Sequence, residues 1–182
     1  MAFNVSTGRV KRANSVLLYG VEGIGKTTLC AKLPGAFIID TEGGSAFLDC
    51  PRATVENLDD LAEAFKYIST ERKAGRFPFK IVVLDTVDKI WQWCADKVIA
   101  NTKDARSIED IPYGKGYAQA SEKFIRVIFD SFMNRIKSLG LHVIACAHCK
   151  ITRISPPDAP EYTQYQVKIS APNSQAQEAA NL

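Results

Sequence analysis

An α/β fold, with a mainly parallel central sheet flanked by helices, is predicted by the alternation of two kinds of segment along this 182-residue chain. Short apolar runs that stop at glycine or at an acidic residue are typical of buried parallel strands. Between them lie segments whose apolar residues recur at helical spacing. Strands that alternate with helices are joined by crossovers and form a parallel sheet. The predicted strands cover residues 15–20, 36–40, 80–85, 141–148 and 163–170.

Four helices are predicted between these strands, over residues 26–33, 57–73, 87–100 and 117–139. Pro34 ends the first helix, and Asn57 can cap the second. Gly140 is placed to end the fourth. The polar segment 101–116, broken by proline and glycine, is predicted to be a loop, and a loop that long in a compact domain is usually functional or mobile. The fourth helix carries one apolar stripe, formed by Phe124, Ile128, Phe132, Ile136 and Leu139.

The composition is that of a folded globular chain, with 46% apolar and 24% charged residues. We divide it into a basic N-terminal segment, residues 1–14, and one domain, residues 15–182, whose helix-like end is consistent with a native chain that continues beyond Leu182. No apolar run approaches the ~20 residues that cross a bilayer. The start also lacks the apolar stretch of a secretory signal. A cytoplasmic protein with no membrane partner is therefore predicted, and its net charge of +3 does not by itself indicate a nucleic-acid binder.

The five cysteines, at positions 30, 50, 94, 146 and 149, are an odd number in a chain with no export signal, which argues for reduced thiols. Cys146 and Cys149 form a C-x-x-C around His148. The pair ends an apolar run, whereas a redox pair needs a helix N-terminus to lower a thiol pKa. A zinc site would need two further ligands, and the other histidine, His142, lies at the far end of the same run. Core packing is predicted, with a metal or redox role as the alternative.

The segment GVEGIGKT, residues 20–27, fits the pattern G-x-x-x-x-G-K-[ST] directly after a predicted strand and at the start of a helix. Bare backbone N–H groups can surround phosphate oxygens only where side chains do not intrude, and the helix N-terminus adds its positive dipole end. Lys26 would reach the β- and γ-phosphates, and the Thr27 hydroxyl would bind Mg²⁺. The pattern therefore predicts a site for ATP, or a related nucleoside triphosphate, with Mg²⁺. Its residues would be Glu22, Gly23, Ile24, Gly25, Lys26, Thr27 and Thr28.

Three further strand ends carry polar side chains toward the same site. Asp85 follows four apolar residues, and a carboxylate in the outer shell of Mg²⁺ is the usual protein contribution. Glu42, in the turn after the second strand, could orient and polarise the attacking water. His148 could donate a hydrogen bond to the γ-phosphate. The alternatives are a solvated acidic turn for Glu42 and a partly buried packing role for His148.

The order of GVEGIGKT, IDTEGG, IVVLDT and AHCK resembles that of the RecA-type recombinase ATPases, in particular a branch of small phage-encoded nucleotide-binding proteins. The resemblance covers residues 15–170, and its most specific parts are DTEGG and PYGKGY. It implies that Glu42 is the catalytic glutamate and Asp85 the Walker B carboxylate. His148 stands where the recombinases usually carry a glutamine that senses the γ-phosphate. A RecA-like, phage-encoded ATPase located in the host cytoplasm is the expectation that follows.

The same resemblance assigns the polar loop to DNA. In recombinases the segment before the long helix contacts DNA, and Tyr113, Lys115 and Tyr117 occupy it here. A lysine between two aromatic residues and flexible glycines suits single-stranded DNA, because phosphates meet lysine and bases stack on rings. Lys150 and Arg153, just after the fourth strand, would belong to a second such loop. A solvated hinge loop is the alternative.

The predicted function is Mg²⁺-dependent ATP hydrolysis in phage DNA recombination, replication or repair. Expected partners are ATP, single-stranded DNA, a single-strand DNA-binding protein and further copies of the same chain. Two other classes stay open. One is a nucleotide-dependent switch with negligible turnover that works through a protein partner. The other is a small-molecule P-loop kinase, which fits less well because kinases need an arginine-rich lid, and only Arg106 and Arg153 lie near a candidate loop.

Overall fold

The structure is a computed structural model that describes residues 7–8, 12–158 and 160–168. These residues form a six-stranded sheet flanked by helices, which confirms the predicted α/β class. Most of the predicted N-terminal segment 1–14, and the helix-like chain end after residue 168, lie outside the described residues. The strands are β1 (Ser15–Gly20), β2 (Ala36–Asp40), β3 (Arg52–Thr54), β4 (Ile81–Asp85), β5 (His142–Ile154) and β6 (Tyr162–Val167).

Five of the strands are parallel and lie side by side in the order β1, β5, β4, β2, β3. The sixth, β6, pairs antiparallel with the outer part of β5. The prediction missed β3, because three residues are too short to show a hydrophobic period. It also ended the fourth strand at His148, whereas β5 continues to Ile154 because β6 supplies the hydrogen-bond partners of its polar second half.

The helices agree with the predicted pattern. They are α1 (Lys26–Ala31), α2 (Leu58–Lys73), α3 (Val87–Ala100), α4 (Lys115–Ile125) and α5 (Arg135–Ser138), with a 3₁₀ turn at Pro112–Gly114 before α4. The Asn57 side chain caps α2 as predicted, since its Oδ1 accepts hydrogen bonds from the amides of Asp59 and Asp60, each at 2.9 Å. In the described part of the chain no helix is both long and apolar enough to cross a membrane.

The predicted long helix 117–139 is present, but a π-helical segment, Arg126–Asn134, joins α4 to α5. The spacing of the apolar residues along the long helix accounts for this π-helical segment. The first four stripe residues are four apart, and in an α-helix each step of four residues overshoots a full turn by about 40°. A π-helix has wider turns, so it offsets the overshoot. The stripe therefore stays on the core side, and its first four members, Phe124, Ile128, Phe132 and Ile136, are all buried.

The two faces of the sheet are covered unequally. On one face, residues such as Ile39 and Leu84 join a large core built with α2, α3, α4 and the π-helical segment. On the other face, Ile38, Val83 and Cys146 pack against Cys30 of α1 in a small cluster. This second layer is thin in the described part of the chain, and it lies directly beside the predicted phosphate loop.

The segment predicted as a loop of residues 101–116 is shorter and more ordered than expected. Ile108 and Ile111 are buried and fasten it to the core. Gly116 is already in α4, and a Cβ there would lie 2.7 Å from the carbonyl oxygen of Ile108. Glycine is therefore required at position 116 by close packing. The prediction that the glycines on either side of Lys115 are flexible was wrong for Gly116.

Candidate functional site

The parallel register brings the predicted site residues to one edge of the sheet. Gly20 lies opposite His148 in the pairing of β1 with β5. Asp40 lies opposite Asp85 in the pairing of β2 with β4. Because all these strands run in the same direction, their carboxyl ends open onto a common cleft, as in other open α/β sheets.

The phosphate-binding loop connects β1 to α1 at this edge. Gly25 has φ 97°, a left-handed conformation that side chains other than glycine rarely adopt. Lys26 follows it and is only 8% exposed. Its Nζ donates hydrogen bonds to the carbonyl oxygens of Gly20 and Val21, both at 3.1 Å. The ammonium group is thus held inside the loop, and it lines the cleft in which phosphates would lie.

Thr27 and Asp85 meet beside the loop. The Thr27 hydroxyl donates a 2.5 Å hydrogen bond to Oδ2 of Asp85. Burial raises the pKa of Asp85, the neighbouring Asp40 raises it further, and the bond from Thr27 and the charge of Lys26 oppose the increase. A hydroxyl and a carboxylate in contact are oxygen ligands of the kind that Mg²⁺ prefers, so the predicted metal pair fits the ion chemically.

The turn after β2 is held by Asp40, whose structural role the sequence did not reveal. Its Oδ1 accepts hydrogen bonds from the amides of Glu42 at 3.0 Å and Gly43 at 2.7 Å. Its Oδ2 accepts from the amide and the hydroxyl of Ser45, at 2.8 and 2.5 Å. The turn also approaches the metal pair, since a Cβ on Gly44 would lie 3.8 Å from the Thr27 hydroxyl oxygen.

Glu42 therefore projects from a turn held by four hydrogen bonds to Asp40, and it lies exposed in the lining of the cleft. Partial burial raises its pKa, and the carboxylates of Asp88 and Asp85 add to the increase. The imidazole of His148 and a hydrogen bond with the Thr86 side chain oppose it. A carboxylate whose pKa is raised toward neutrality is a better proton acceptor, which suits the role predicted for Glu42.

His148 is paired with an acidic residue that the sequence reasoning missed. The backbone N–H of His148 donates to Oδ1 of Asp88 at 2.9 Å, and its Nδ1 lies 2.6 Å from Oδ2 of the same carboxylate. Thr86 donates its hydroxyl to that Oδ2 at 3.3 Å. The sequence signal was weak, because an acidic residue in the first turn of a helix is ordinarily explained by the helix dipole.

The cleft around these residues has a volume of about 1300 Å³. This exceeds the range of about 300–1000 Å³ typical of small-molecule sites. Its lining contains the predicted residues Glu22, Gly23, Gly25, Lys26, Thr27, Thr28, Glu42, Asp85 and His148. The prediction also included Ile24, which is 66% exposed and does not line the cleft. Lining residues that the prediction missed include Thr86, Asp88, Trp91, Gln92 and Lys168.

A second group of potential metal ligands lies in the cleft. Glu42, Asp88 and His148 each offer one ligating atom, and these atoms lie within 4.8 Å of one another. However, both oxygens of Asp88 and the Nδ1 of His148 are already engaged in the hydrogen bonds between these two residues. Thr27 and Asp85 stay the predicted Mg²⁺ ligands.

Comparison with known proteins identifies the domain that carries this site. Residues 12–177 match a family described as an AAA domain. The chain belongs to this family. No curated protein matches it significantly. AAA domains are typically nucleotide-binding ATPases, which agrees with the P-loop NTPase fold and supports the nucleotide-binding prediction.

The loop predicted to contact DNA presents two of its three residues to solvent. Tyr113 of the AAA domain is 96% exposed, and Lys115 is also exposed. Tyr117 differs, because its ring stacks on Trp91 with centroids 6.3 Å apart and its hydroxyl donates to a carboxylate oxygen of Glu109. Tyr117 therefore has packing and hydrogen-bond partners within the domain, and its role as a stacking platform for bases stays a prediction.

Lys150 and Arg153 of the AAA domain lie in β5, where they pair with Gln166 and Thr163 of β6. The prediction placed them in a loop after the strand, and this was wrong because the strand continues. Both residues are exposed. Since successive side chains of a strand alternate, positions three apart point to opposite faces. The two cations therefore do not line one common path on this hairpin.

The cysteines of the AAA domain are free thiols. Cys146 is fully buried, and its Sγ lies 3.7 Å from Sγ of Cys30 in the small cluster under α1. Burial also raises the pKa of Cys94 to about 11. Cys30 and Cys94 are fully buried like Cys146, so none of these three thiols is accessible to solvent reagents. The core-packing role predicted for the cysteines is confirmed for Cys30, Cys94 and Cys146.

Proposed function

We propose that the AAA domain is a Mg²⁺-dependent ATP hydrolase of RecA-like type that works on single-stranded DNA in phage recombination, replication or repair. The observation that carries the ATPase part is the 2.5 Å contact between Thr27 and Asp85 beside the ammonium group of Lys26. Lys26 and Thr27 come from α1 and Asp85 from β4, two elements that are far apart in sequence, and together they offer the ligands that a Mg²⁺–triphosphate requires.

The reaction follows from the positions of these residues. Lys26 would bind the β- and γ-phosphates, and Glu42 would accept the proton of a water that attacks the γ-phosphorus. The bond between that phosphorus and the β–γ bridging oxygen breaks, which yields ADP and inorganic phosphate. Mg²⁺ held at Thr27 and Asp85 would neutralise the charge that develops on the phosphate oxygens. His148 lines the same cleft, and its ring would donate a hydrogen bond to the γ-phosphate.

The DNA part of the proposal has narrower support. Tyr113 stands almost fully exposed at a turn, with Lys115 one residue beyond the intervening glycine. An exposed ring and a nearby ammonium group suit a base and its phosphate. Assembly with further copies of the chain and contact with a single-strand DNA-binding protein belong to the same proposal.

Steady-state phosphate release, measured with and without a single-stranded oligonucleotide, tests this function. Stimulation by the oligonucleotide supports a recombinase-type ATPase. Tight ATP binding with a slow rate that DNA does not change would favour the nucleotide-dependent switch, which acts through a protein partner. Transfer of the labelled phosphate to a small acceptor would favour a kinase.

The DNA contact itself is tested by fluorescence anisotropy over a salt series. Lys115→Ala should weaken binding for all sequences and reduce the slope of log affinity against log salt by about 0.7, because one phosphate contact to a single strand is lost. Lys137→Ala is the matched control, since Lys137 is an exposed lysine near the other end of the same long helix. No binding by the wild type at low salt would refute the DNA part.

A further inference from the structure

Asp88 holds His148 by two separate contacts. One of its oxygens accepts the backbone N–H of His148 at 2.9 Å, and the other lies 2.6 Å from the ring Nδ1. The side chains are only 18% and 15% exposed, for His148 and Asp88 respectively. A single carboxylate on α3 therefore holds both the backbone of β5 at His148 and the ring orientation, as a carboxylate does for a histidine in many catalytic sites.

This pairing determines which nitrogen of the ring faces the cleft. A carboxylate only accepts hydrogen bonds, so Nδ1 must carry a proton. Within the described residues Nε2 has no hydrogen-bond partner, and His148 lines the cleft. If Nε2 is to donate to a phosphate oxygen, it needs a proton as well, and the ring is then an imidazolium cation.

The charges around the ring favour that state when a nucleotide is bound. Glu42 and Asp88 each offer a carboxylate oxygen within 4.8 Å of a nitrogen of the His148 ring. Four more carboxylates line the cleft, those of Glu22, Asp40, Glu56 and Asp85, against three lysines, Lys26, Lys89 and Lys168. The phosphates of a nucleotide would be repelled by these carboxylates unless one of them were neutralised. His148 contacts Asp88 directly, so a positive charge on its ring would neutralise that carboxylate.

We infer that Asp88 is a positioning residue that holds His148 as a charged hydrogen-bond donor to the terminal phosphate, so that the cleft binds ATP more tightly than ADP. This rests on the proposed function, because it assumes a triphosphate in the cleft. The donor would contact the γ-phosphate, which ADP lacks, and a hydrogen bond to a charged group contributes about tenfold or more in affinity.

Replacement of Asp88 by asparagine separates the position of the His148 ring from its charge. In Asp88→Asn one oxygen can still accept the backbone N–H of His148, while the new amide N–H₂ donates to Nδ1. Nδ1 then carries no proton, and the neutral ring bears its proton on Nε2. The ring keeps its place and can still donate, but without a positive charge. Asp88→Ala removes both contacts.

The experiment compares the affinity for ADP with that for a non-hydrolysable ATP analogue, both with Mg²⁺, by titration calorimetry. The wild type should prefer the ATP analogue, and this preference should fall about tenfold in His148→Gln. By itself, Asp88→Ala should reduce the preference for the ATP analogue by a similar factor. In the His148→Gln background it should reduce that preference by less than about twofold, because Asp88 acts through the histidine ring. Asp96→Asn, an exposed aspartate of the same helix, should leave the preference unchanged.

A second measurement determines the same preference in Asp88→Asn. Its ring keeps its place and can still donate through Nε2, but without a positive charge, so the preference should lie between those of the wild type and Asp88→Ala. The other charged groups of the cleft are common to all three proteins, and they are Glu22, Asp40, Glu42, Glu56, Asp85, Lys26, Lys89 and Lys168.

Each result decides the inference. Equal preferences in Asp88→Asn and Asp88→Ala, or additive effects of Asp88→Ala and His148→Gln, would overturn it. A wild type that binds both nucleotides without preference would overturn it too, while leaving the nucleotide site intact. A wild type that binds neither nucleotide would overturn the proposed function together with the inference. Absence of hydrolysis alone would refute only the ATPase proposal, because the test needs binding and not turnover.

Discussion

Asp40→Asn should destabilise the domain by about 2–4 kcal/mol. Asp40 is 2% exposed and accepts four hydrogen bonds from the turn that carries Glu42. Asparagine keeps one oxygen for the amides of Glu42 and Gly43, but it turns an amide N–H₂ toward the buried N–H of Ser45. A buried donor without a partner costs about 1–3 kcal/mol, and loss of the charge weakens the remaining bonds by a further ~1 kcal/mol. The Ser45 hydroxyl adds no such cost, because it can rotate and accept a hydrogen bond from the new amide.

Urea unfolding, followed by tryptophan fluorescence, measures this change, with Asp96→Asn as the control on an exposed site. Thermal unfolding should show a decrease of about 4–16 °C, at about 2–4 °C per kcal/mol for a domain of this size. An unfolding free energy within about 0.5 kcal/mol of the wild type, the scatter of ordinary surface changes, would refute the reasoning.

The difference between the two proteins should also depend on pH. Burial raises the pKa of Asp40, but the hydrogen bonds from Ser45, Glu42 and Gly43 outweigh it, and the pKa lies below its usual value. A group with a lowered folded pKa stabilises the protein above its unfolded pKa, about 3.9 for aspartate. The stabilisation is lost as pH falls through the folded value. The gap between wild type and Asp40→Asn should therefore be complete at pH 7 and shrink below about pH 4.

Three further predictions concern the cleft and the aromatic residues. Lys26→Ala should abolish tight nucleotide binding without unfolding the domain, and an affinity within about threefold of the wild type, or ~0.7 kcal/mol, would contradict the site. Glu42→Gln should still bind ATP, but phosphate release should fall by roughly 10²-fold. Because the pKa of Glu42 is raised, turnover of the wild type should decline as pH drops through that pKa, and the residual turnover of Glu42→Gln should lack this decline. Tyr113→Ala should leave the thermal midpoint unchanged, whereas Tyr117→Ala should lower it, because only the second ring stacks on Trp91.

The sequence predicted those parts of the domain that depend on local patterns. The strands before the phosphate loop, before Glu42 and at Asp85 are continuous apolar runs, and the loop itself is a contiguous motif. Parallel register then brings the strand ends together, so that Thr27 could be paired with Asp85 although 58 residues separate them. Motif and strand direction were sufficient for this part of the site.

The remainder depends on contacts that no local pattern contains. Asp88 was missed because its partner, His148, is 60 residues away and meets it only through the docking of α3 against β5. The contact of Tyr117 with Trp91 was not predicted because it arises only from the packing of α4 on α3. The extension of β5 past His148 was missed because polar residues form a strand there only with the support of β6. Tertiary packing decided each case.

The thin layer under the phosphate loop has a consequence for local stability. A helix of six residues is too short to be stable alone, and α1 has only two buried residues, Lys26 and Cys30. The segment from Gly20 to Ala31 should therefore open at a lower free energy than the core helices on the other face of the sheet. A nucleotide that binds only the closed form would reduce such opening by mass action. In hydrogen exchange, the amides of α1 should gain more protection on nucleotide binding than those of α2, so the ligand would complete the folding of its own binding loop.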